Sequence, residues 1–304
     1  MPFDEALAAL LAQAAPVPGI EQVDTLQADG RVLAQAQRST MNVPAADNTQ
    51  MDGYAVRCAD LAGAGEGRPV RLRVSQRIAA GYVGSALEPG TAARIFTGAR
   101  IPEGADAVVM QEQTEADGEH VLVSHRPAPG EWIRRTGEDI REGAVILQEG
   151  VRLSPQATGL AASIGLAALP VRRRLRVGCF FTGDELAMPG EALRPGAIYN
   201  SNRFVLGALL RRLGCEVADL GIVPDSLEAT RAALREAAVG SDLVITSGGV
   251  SVGEADHVKP AVQAEGSLDL WQIAIKPGKP LACGRLRRAQ AAGRRPGGKG
   301  GGAA

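Results

Sequence analysis

The sequence lacks the features that mark membrane-spanning, secreted and nucleic-acid-binding proteins. No apolar run approaches the roughly 18 residues that cross a bilayer. Residues 1–5 contain no basic group of the kind that opens a signal peptide. The 33 basic and 34 acidic side chains leave a net charge of −1, so no overall field attracts nucleic acid or an anionic membrane. We therefore expect a cytoplasmic protein with neither a nucleic-acid nor a membrane partner.

Cysteine and aromatic residues are also scarce. The four cysteines lie far apart and form no Cys-x-x-Cys pattern, which gives no sequence signal for a zinc site or a disulfide framework. Aromatic residues make up 3% of the chain, whereas 38 residues are glycine. These proportions predict many turns and close contacts made by small residues. The 304 residues suffice for two or more cores at roughly 100–200 residues per domain.

The first half of the chain combines two predicted helices with a β-rich segment. Helices are predicted over residues 3–14, which end before Pro16, and over 156–164, which follow a Ser154-Pro155 start and end at Gly165. We expect these two helices to pack together. Between them, short apolar runs separated by glycine and proline predict an all-β module with a barrel-like shape. Its predicted strands are 54–56, 70–74, 93–96, 107–110 and 120–123.

From residue 175 onward, strands and helices alternate. Strands are predicted over 175–181, 216–223 and 243–246, with helices over 203–213 and 227–239. This alternation favours a parallel sheet, in which ligands bind beyond the carboxyl ends of the strands. For the second helix, Asp225 or Ser226 is the predicted N-cap, and Glu228 is placed for a capping box. Polar loops follow all three strands, so we expect them to converge on one site.

The third of these loops carries the strongest local pattern. Residues 242–256 begin as a buried strand and continue as Thr-Ser-Gly-Gly-Val-Ser-Val-Gly before ending at Glu254 and Asp256. A glycine- and hydroxyl-rich bend lets backbone N–H groups approach an anion closely. The two carboxylates suit a divalent cation. A plain glycine-rich connector with solvated acids remains the alternative.

Several other segments leave two interpretations open. Residues 200–202 either form an anion pocket at a helix N-terminus or simply cap that helix. Arg134 and Arg135 either grip an anion or pair with Glu138 and Asp139. Lysines in the 276–280 loop suit an oxyanion or lie in an exposed turn.

Three further segments receive the plainer interpretation. From physics alone, Asp52 fits an Asx turn better than a site. The arginine triplet 172–174 is assigned to a solvated linker, and His120 and His125 are assigned to the surface.

Taken together, these motifs resemble those of molybdopterin molybdenumtransferases, the family of the MoeA proteins and the gephyrin E domain. The resemblance covers roughly residues 1–286. It departs from the usual pattern at Gln272, where many relatives carry a basic residue, and at Thr49-Gln50, where many carry Ser-Ala. The segments that carry it include Met-Asp-Gly-Tyr-Ala-Val-Arg (51–57), Thr-Gly-Ala (97–99), Gly-Glu-Asp (137–139), Thr-Gly-Asp-Glu-Leu (182–186), Thr-Ser-Gly-Gly-Val-Ser (246–251) and Lys-Pro-Gly-Lys-Pro (276–280).

The resemblance implies a reaction, a metal and partners. Molybdate is inserted into adenylylated molybdopterin, AMP is released, and Mg²⁺ takes part, held by Glu185 and Asp256. The implied homodimer brings four of the catalytic residues, from the β-rich module, to the crevice of the partner chain. Other proteins of molybdenum cofactor biosynthesis are further candidate partners. The implied catalytic residues are Asp52, Thr97, Arg134, Asp139, Glu185, Asp225, Asp256 and Lys276. Those implied to bind the pterin nucleotide are Thr182, Gly183, Ser247, Gly248, Gly249, Ser251, Gly253 and Lys279.

The predicted fold class is multidomain α/β. It comprises a small mixed N-terminal domain (1–45 plus 141–172), a β-rich inserted domain (46–140) and an incomplete parallel-sheet molybdopterin-binding domain (173–286). Residues 287–304 contain no large apolar side chain, so we expect a disordered tail. Its composition resembles a GC-rich gene translated in a wrong frame, and a basic tail for an anionic partner is the alternative. Because members of the family continue past residue 286 with more sheet and a further β domain, we expect this chain to be C-terminally truncated relative to them.

Two alternative functions accompany the transferase prediction. The first is a catalytically inactive fragment that still binds molybdopterin. The second is a molybdopterin adenylyltransferase, since a related enzyme shares the 175–286 type of domain. The β-rich module before residue 150 argues against the adenylyltransferase.

Overall fold

The computed structural model describes residues 1–248, 257–274 and 280–287. Two compact units emerge: Gln22–Val171 form one, and Met1–Glu21 with the described residues from Arg172 onward form the other. The predicted α/β class with more than one domain is confirmed, whereas the finer division at 1–45, 46–140, 141–172 and 173–286 stays a prediction. Among the described residues, no helix is long and apolar enough to traverse a bilayer.

Helices and strands are distributed unevenly between the two units. The helices are α1 (Phe3–Gln13), α2 (Pro155–Ser163), α3 (Ser201–Arg212), α4 (Leu227–Gly240) and α5 (Val258–Glu265). The strands are β1 (Ile20–Asp24), β2 (Gln37–Arg38), β3 (Asn48–Thr49), β4 (Gly53–Val56), β5 (Val70–Ile78), β6 (Thr91–Ile95), β7 (Ala107–Met110), β8 (Thr114–Asp117), β9 (His120–Val123), β10 (Ile133–Arg134), β11 (Val145–Leu147), β12 (Ala168–Arg172), β13 (Arg176–Thr182), β14 (Leu186–Ala187), β15 (Ile198–Tyr199), β16 (Glu216–Val223), β17 (Leu243–Ser247), β18 (Gly266–Gln272) and β19 (Pro280–Leu286).

The unit Gln22–Val171 is built around a six-stranded sheet. Its strand order is β7-β4-β6-β5-β9-β8, with β5 parallel to β6 and the other neighbours antiparallel. Side chains alternate between the faces, so Tyr54 and Val56 enter one core while Ala55 enters another. The predicted β-rich character of this segment is therefore observed, in the form of a mixed sheet.

A third core in this unit is built around α2. Leu33, Leu153 and Ala161 pack there with Leu169. Ser154 caps the helix, as the sequence predicts, because its hydroxyl accepts the Ala157 N–H at 3.3 Å. This third core is therefore formed by chain segments that precede and follow the six-stranded sheet in the sequence.

The other unit contains a three-stranded parallel sheet in the order β16-β13-β17. The central strand is buried on both faces: Phe180 packs with α4 and α5, and Phe181 packs with Leu210 of α3. Continuous apolar sequence in β13 follows from this two-sided burial. The predicted parallel sheet is thus observed.

Three local predictions need correction. Ser226 is the N-cap of α4, so the capping-box position falls on Ala229 and Glu228 forms no box. Helix α1 buries Ala6 against Ile273 and belongs to a different unit from α2. Arg173 is no solvated linker residue, because Nη1 and Nη2 each donate to one carboxylate oxygen of Asp242 at 2.7 Å.

Candidate functional site

The carboxyl ends of the three parallel strands lie side by side. Thr182 at the end of β13 is in register with Val223 at the end of β16, and Phe181 is in register with Ser247 at the end of β17. The loops that follow these strands therefore leave the sheet at one edge. This is the convergence that the sequence pattern predicts for an open parallel sheet.

Hydrogen bonds join these loops to one another. The backbone N–H of Asp225 donates to Oδ1 of Asp184 at 3.2 Å. Nδ2 of Asn202, at the start of α3, donates to Oγ of Ser247 at 2.8 Å. These two bonds join the loop after β13 to the loop after β16, and the start of α3 to the end of β17.

Gly248 makes the closest approach between two of the loops. A Cβ added there would lie 2.1 Å from the carbonyl oxygen of Thr182, and its φ of +114° is one that L side chains rarely adopt. Only glycine fits both the space and the backbone conformation. The glycine-rich pattern after β17 thus has a physical cause that is independent of ligand binding.

Several buried polar atoms at this edge have no hydrogen-bond partner among the residues that the structure describes. They are Oγ1 of Thr182, Nδ2 of Asn200 and Oδ1 of Asp225, with Oγ1 of Thr246 nearby on β17. Buried polar atoms are nearly always paired in folded proteins, so a group of unpaired ones calls for an explanation. A bound polar ligand supplies one.

Asn200 shows which interpretation of residues 200–202 is correct. Its side chain is 2% exposed, and its Oδ1 accepts the Arg203 N–H at 3.2 Å as the N-cap of α3. The capping interpretation therefore holds for this oxygen. The amide nitrogen of the same side chain is buried and has no partner among the described residues.

Carboxylates give this edge its negative charge. Glu185 is exposed, and its carboxylate turns back over Gly183, where a Cβ would meet the two oxygens at 2.6 and 2.8 Å. Asp184 and Asp225 lie on the adjoining loops. Within the described part of the chain, no group of three or more His, Cys, Asp or Glu side chains is arranged around a metal position.

A second polar cluster lies in the unit Gln22–Val171. Oδ1 of Asp52 accepts the backbone N–H of Thr97 at 2.8 Å and its hydroxyl at 2.7 Å. These bonds, the backbone one first, hold the pKa of the Asp52 carboxyl below its ordinary value. Asp52 thus orients Thr97, beyond the simple Asx turn that the sequence favours. Thr97 and Arg134 border a polar hollow of about 520 Å³.

Arg134, which borders this hollow, and the next residue Arg135 each form an ion pair with an acid. Arg134 forms an ion pair with Asp139, and the hydrogen bond in that pair raises the pKa of the guanidinium. The Arg135 guanidinium pairs at 2.7 Å with Asp47, which is not among the predicted partners Glu138 and Asp139, and the Arg135 backbone N–H donates to Glu138 at 2.9 Å. Burial opposes ionisation of Asp47, but the Thr136 N–H and the Arg135 guanidinium together lower its pKa. The ion-pair interpretation therefore describes these residues.

Two family models match this chain. The model of the MoeA N-terminal region (domain I and II) matches residues 1–165, more than half of the chain. A model described as a probable molybdopterin binding domain matches residues 178–298. The chain belongs to the molybdopterin molybdenumtransferase family. The resemblance that the motifs predict is confirmed.

Individual members of the molybdopterin molybdenumtransferase family align over most of the chain. The Haemophilus influenzae molybdopterin molybdenumtransferase is 43% identical over 289 residues, which cover 94% of this chain and 70% of that protein. Molybdopterin molybdenumtransferase 2 of Mycobacterium tuberculosis is 41% identical over 87% of this chain and 67% of its own length. The crystal structure of a molybdopterin biosynthesis MoeA protein from Pyrococcus horikoshii matches with a TM-score of 0.84 and 32% identity, covering 93% of this chain and 72% of that one.

Part of the predicted molybdenumtransferase site lies outside the described residues. This applies to the second half of the 242–256 loop and to the lysine loop. The tail from residue 288 to 304 is likewise outside them, although the binding-domain match extends to residue 298. The predicted site residues concerned are Gly249, Ser251, Gly253, Asp256, Lys276 and Lys279.

Two side chains make polar contacts that the sequence did not predict. Asp184 received no role, yet its carboxylate holds the backbone of Asp225, and its place in the Thr-Gly-Asp-Glu run was the available signal. His125, assigned to the surface, is half-buried and lies 2.9 Å from the Glu131 carboxylate. No spacing rule connects residues 125 and 131, so only the fold shows this pair.

Proposed function

We propose that this chain inserts molybdate into adenylylated molybdopterin and releases AMP. The observation that carries the proposal is the group of unpaired buried polar atoms on Thr182, Asn200 and Asp225, at the ligand-binding edge of a parallel sheet. Family membership supplies the reaction, because the relatives are named molybdopterin molybdenumtransferases. The adenylyltransferase alternative has no comparable support, since the N-terminal match covers residues 1–165.

In this proposal the loops of the sheet edge hold the pterin nucleotide. Thr182 and Ser247 offer hydroxyls, and Gly183 and Gly248 are proposed to contribute backbone N–H groups to the phosphate oxygens. Asp225 has an unpaired buried oxygen that can accept a hydrogen bond from the pterin or ribose. Gly249, Ser251, Gly253 and Lys279, which the family resemblance implies as ligand-binding residues, are proposed to bind the same nucleotide. Lys276 binds the molybdate oxyanion.

Magnesium fits the donors at this edge. Glu185 presents an exposed carboxylate, and Asp256 is its proposed partner. Mg²⁺ usually takes one or two carboxylates and completes its shell with substrate phosphates and water, so two acids suffice. When bound, the ion neutralises phosphate charge. The role of Glu185 itself is to hold negative charge beside the nucleotide site.

The chain is proposed to act as a homodimer in which the β-rich module completes the partner's crevice. Asp52, Thr97, Arg134 and Asp139 then reach the substrate from the other subunit. Support comes from α3, where Phe204, Val205, Leu209 and Leu213 are each about half exposed or more. An exposed apolar helix face of this kind marks a protein–protein contact.

We place the reaction in the cytoplasm, in contact with other proteins of molybdenum cofactor biosynthesis. All four cysteines are free thiols, which fits a reducing compartment.

The direct test measures AMP release from adenylylated molybdopterin by the purified full chain with molybdate and MgCl₂. We expect turnover, a loss of at least tenfold in Asp225→Asn and abolition in Asp256→Ala. Asp29→Asn, which changes an exposed acid in a turn of the unit Gln22–Val171, serves as the matched control and should stay within twofold. Ligand binding without AMP release would instead assign the chain to the binding-fragment alternative.

A mixing experiment tests the shared site. Asp52→Asn and Asp225→Asn chains each lose at least tenfold of the activity in the proposal, but their heterodimer contains one intact site. Random exchange then restores about a quarter of wild-type turnover, as symmetry requires. No restoration, in a mixture shown by mass spectrometry to contain heterodimers, would mean that each site comes from a single chain.

A further inference from the structure

A register shift in β5 brings two arginines together on one face of the six-stranded sheet. Arg73 is paired with Thr91, but after a bulge between Val74 and Gln76, Arg77 is paired with Arg94. The extra residue reverses the alternation, because side-chain direction in a strand has a period of two. Arg77 therefore shares a face with Arg94, whereas Arg73 points to the opposite face.

Both guanidinium groups lie against the same aromatic ring. Cζ of Arg77 is 4.4 Å and Cζ of Arg94 is 4.6 Å from the ring centroid of Phe96. Arg94 also donates through Nη1 to the Gly53 carbonyl at 2.9 Å and through Nη2 to Oε1 of Gln111. These bonds fix the Arg94 guanidinium, which lies 5.2 Å from the Tyr54 ring centroid. Stacking and hydrogen bonding thus hold two positive charges close together before any ligand arrives.

Neither guanidinium forms an ion pair with an acid of residues 1–248, 257–274 or 280–287. The Arg94 charge makes the smallest contribution to the lowered pKa of Asp52, after the Thr97 hydrogen bonds, and no salt bridge joins the two. Adjacent like charges repel each other. An anion that binds both would relieve this repulsion.

The two arginines border a hollow of about 430 Å³. Tyr54 and Val74 provide its less polar lining, Gly118 and His120 also line it, and within the described part of the chain no aspartate or glutamate does. Small-molecule sites commonly have volumes of about 300–1,000 Å³. The hollow shares no lining residue with the one beside Thr97 and Arg134.

We propose that this hollow binds a small phosphate monoester. Planar guanidinium groups match the oxygens of a phosphate, and two of them meet its double charge. The volume exceeds that of the phosphate itself, so the organic group of the ester lies along Tyr54 and Val74. None of the residues proposed for the molybdenumtransferase site lines this hollow, and the proposal does not rest on the function proposed there.

The test titrates the full chain with phenyl phosphate, followed by calorimetry and by backbone amide NMR shifts. We expect saturable shifts at Ser75, Gln76 and Gly118, and affinity that falls as NaCl is raised. Arg77→Gln should weaken binding at least tenfold. Arg77→Lys should weaken it less, because lysine keeps the positive charge and lacks only the planar pair of N–H donors. Arg73→Gln changes the same charge on the opposite face of the same strand and should stay within twofold.

Four outcomes would overturn the assignment. One is the absence of saturable shifts at the three amides. The second is an equal loss of affinity in Arg77→Gln and Arg73→Gln, with both variants unfolding at the wild-type temperature. The third is equal affinity for uncharged phenol, which would show that the phosphate group does not contribute to binding. The fourth is equal affinity for inorganic phosphate, which would show that the organic group of the ester does not contribute to binding.

Discussion

Oδ1 of Asp52 accepts two hydrogen bonds from Thr97, one from its backbone N–H at 2.8 Å and one from its hydroxyl at 2.7 Å. A single carboxylate oxygen thus fixes both the main chain and the side chain of a residue that is 45 positions away. Carboxylates that accept such bonds prefer the ionised form. This contact therefore makes the orientation of Thr97 depend on pH.

Thr97→Val should raise the pKa of Asp52 towards, but not fully to, its ordinary value of 3.8, because the backbone N–H still donates. Since folding lowers this pKa, the contact stabilises the folded protein above pH 3.8 and is lost as pH falls through the lower folded value. Carboxyl ¹³C NMR titration measures the shift. Asp47 is the internal control, because its bonds come from Thr136 and Arg135. An unchanged Asp52 pKa would contradict the assignment.

Gly248→Ala should destabilise the chain by about 3 kcal/mol, because the new methyl group meets the Thr182 carbonyl in a left-handed backbone conformation. Gly240→Ala, at the end of α4 with nothing within 4 Å, should change stability by between zero and about 1 kcal/mol in the favourable direction. Urea unfolding compares the two variants. Equal midpoints would show that the Gly248 contact is absent in solution.

Arg173→Lys should lower the urea midpoint more than Arg176→Lys. Arg173 makes two parallel bonds to Asp242, and these side chains are 24% and 15% exposed. Lysine cannot reproduce this fork. Arg176 pairs with Glu216 where both side chains are more than half exposed, so its replacement should cost within about 0.5 kcal/mol. A reversed order of the two midpoints would argue against the structural role of Arg173.

Local features followed the sequence wherever short-range physics decided them. The Ser154 cap, the glycine after α2 and the strand at residues 107–110 are predictable because each depends on its immediate neighbours. The predicted capping box at Glu228 was wrong, because it requires the N-cap at Asp225, whereas the observed N-cap is Ser226. A difference of one residue in the position of the cap removes the pairing.

Of the candidate site, the sequence predicted the loops but not their contacts. Alternation of strands and helices was enough to place Thr182, Asp225 and Ser247 at one edge. The bond from the Asp225 backbone to Asp184 depends on the rotamers and register of two neighbouring strands, which no periodicity encodes.

By itself, the sequence determined the family, the parallel sheet and the edge where its polar loops meet. These follow from patterns that repeat along the chain, namely apolar runs, caps and glycines at loop positions. Tertiary structure alone decided that Asp52 holds Thr97, that Arg173 clamps Asp242 and that a bulge turns Arg77 towards Arg94. Each of these contacts joins residues distant in sequence, and a shift of one residue in strand register would have placed different side chains together.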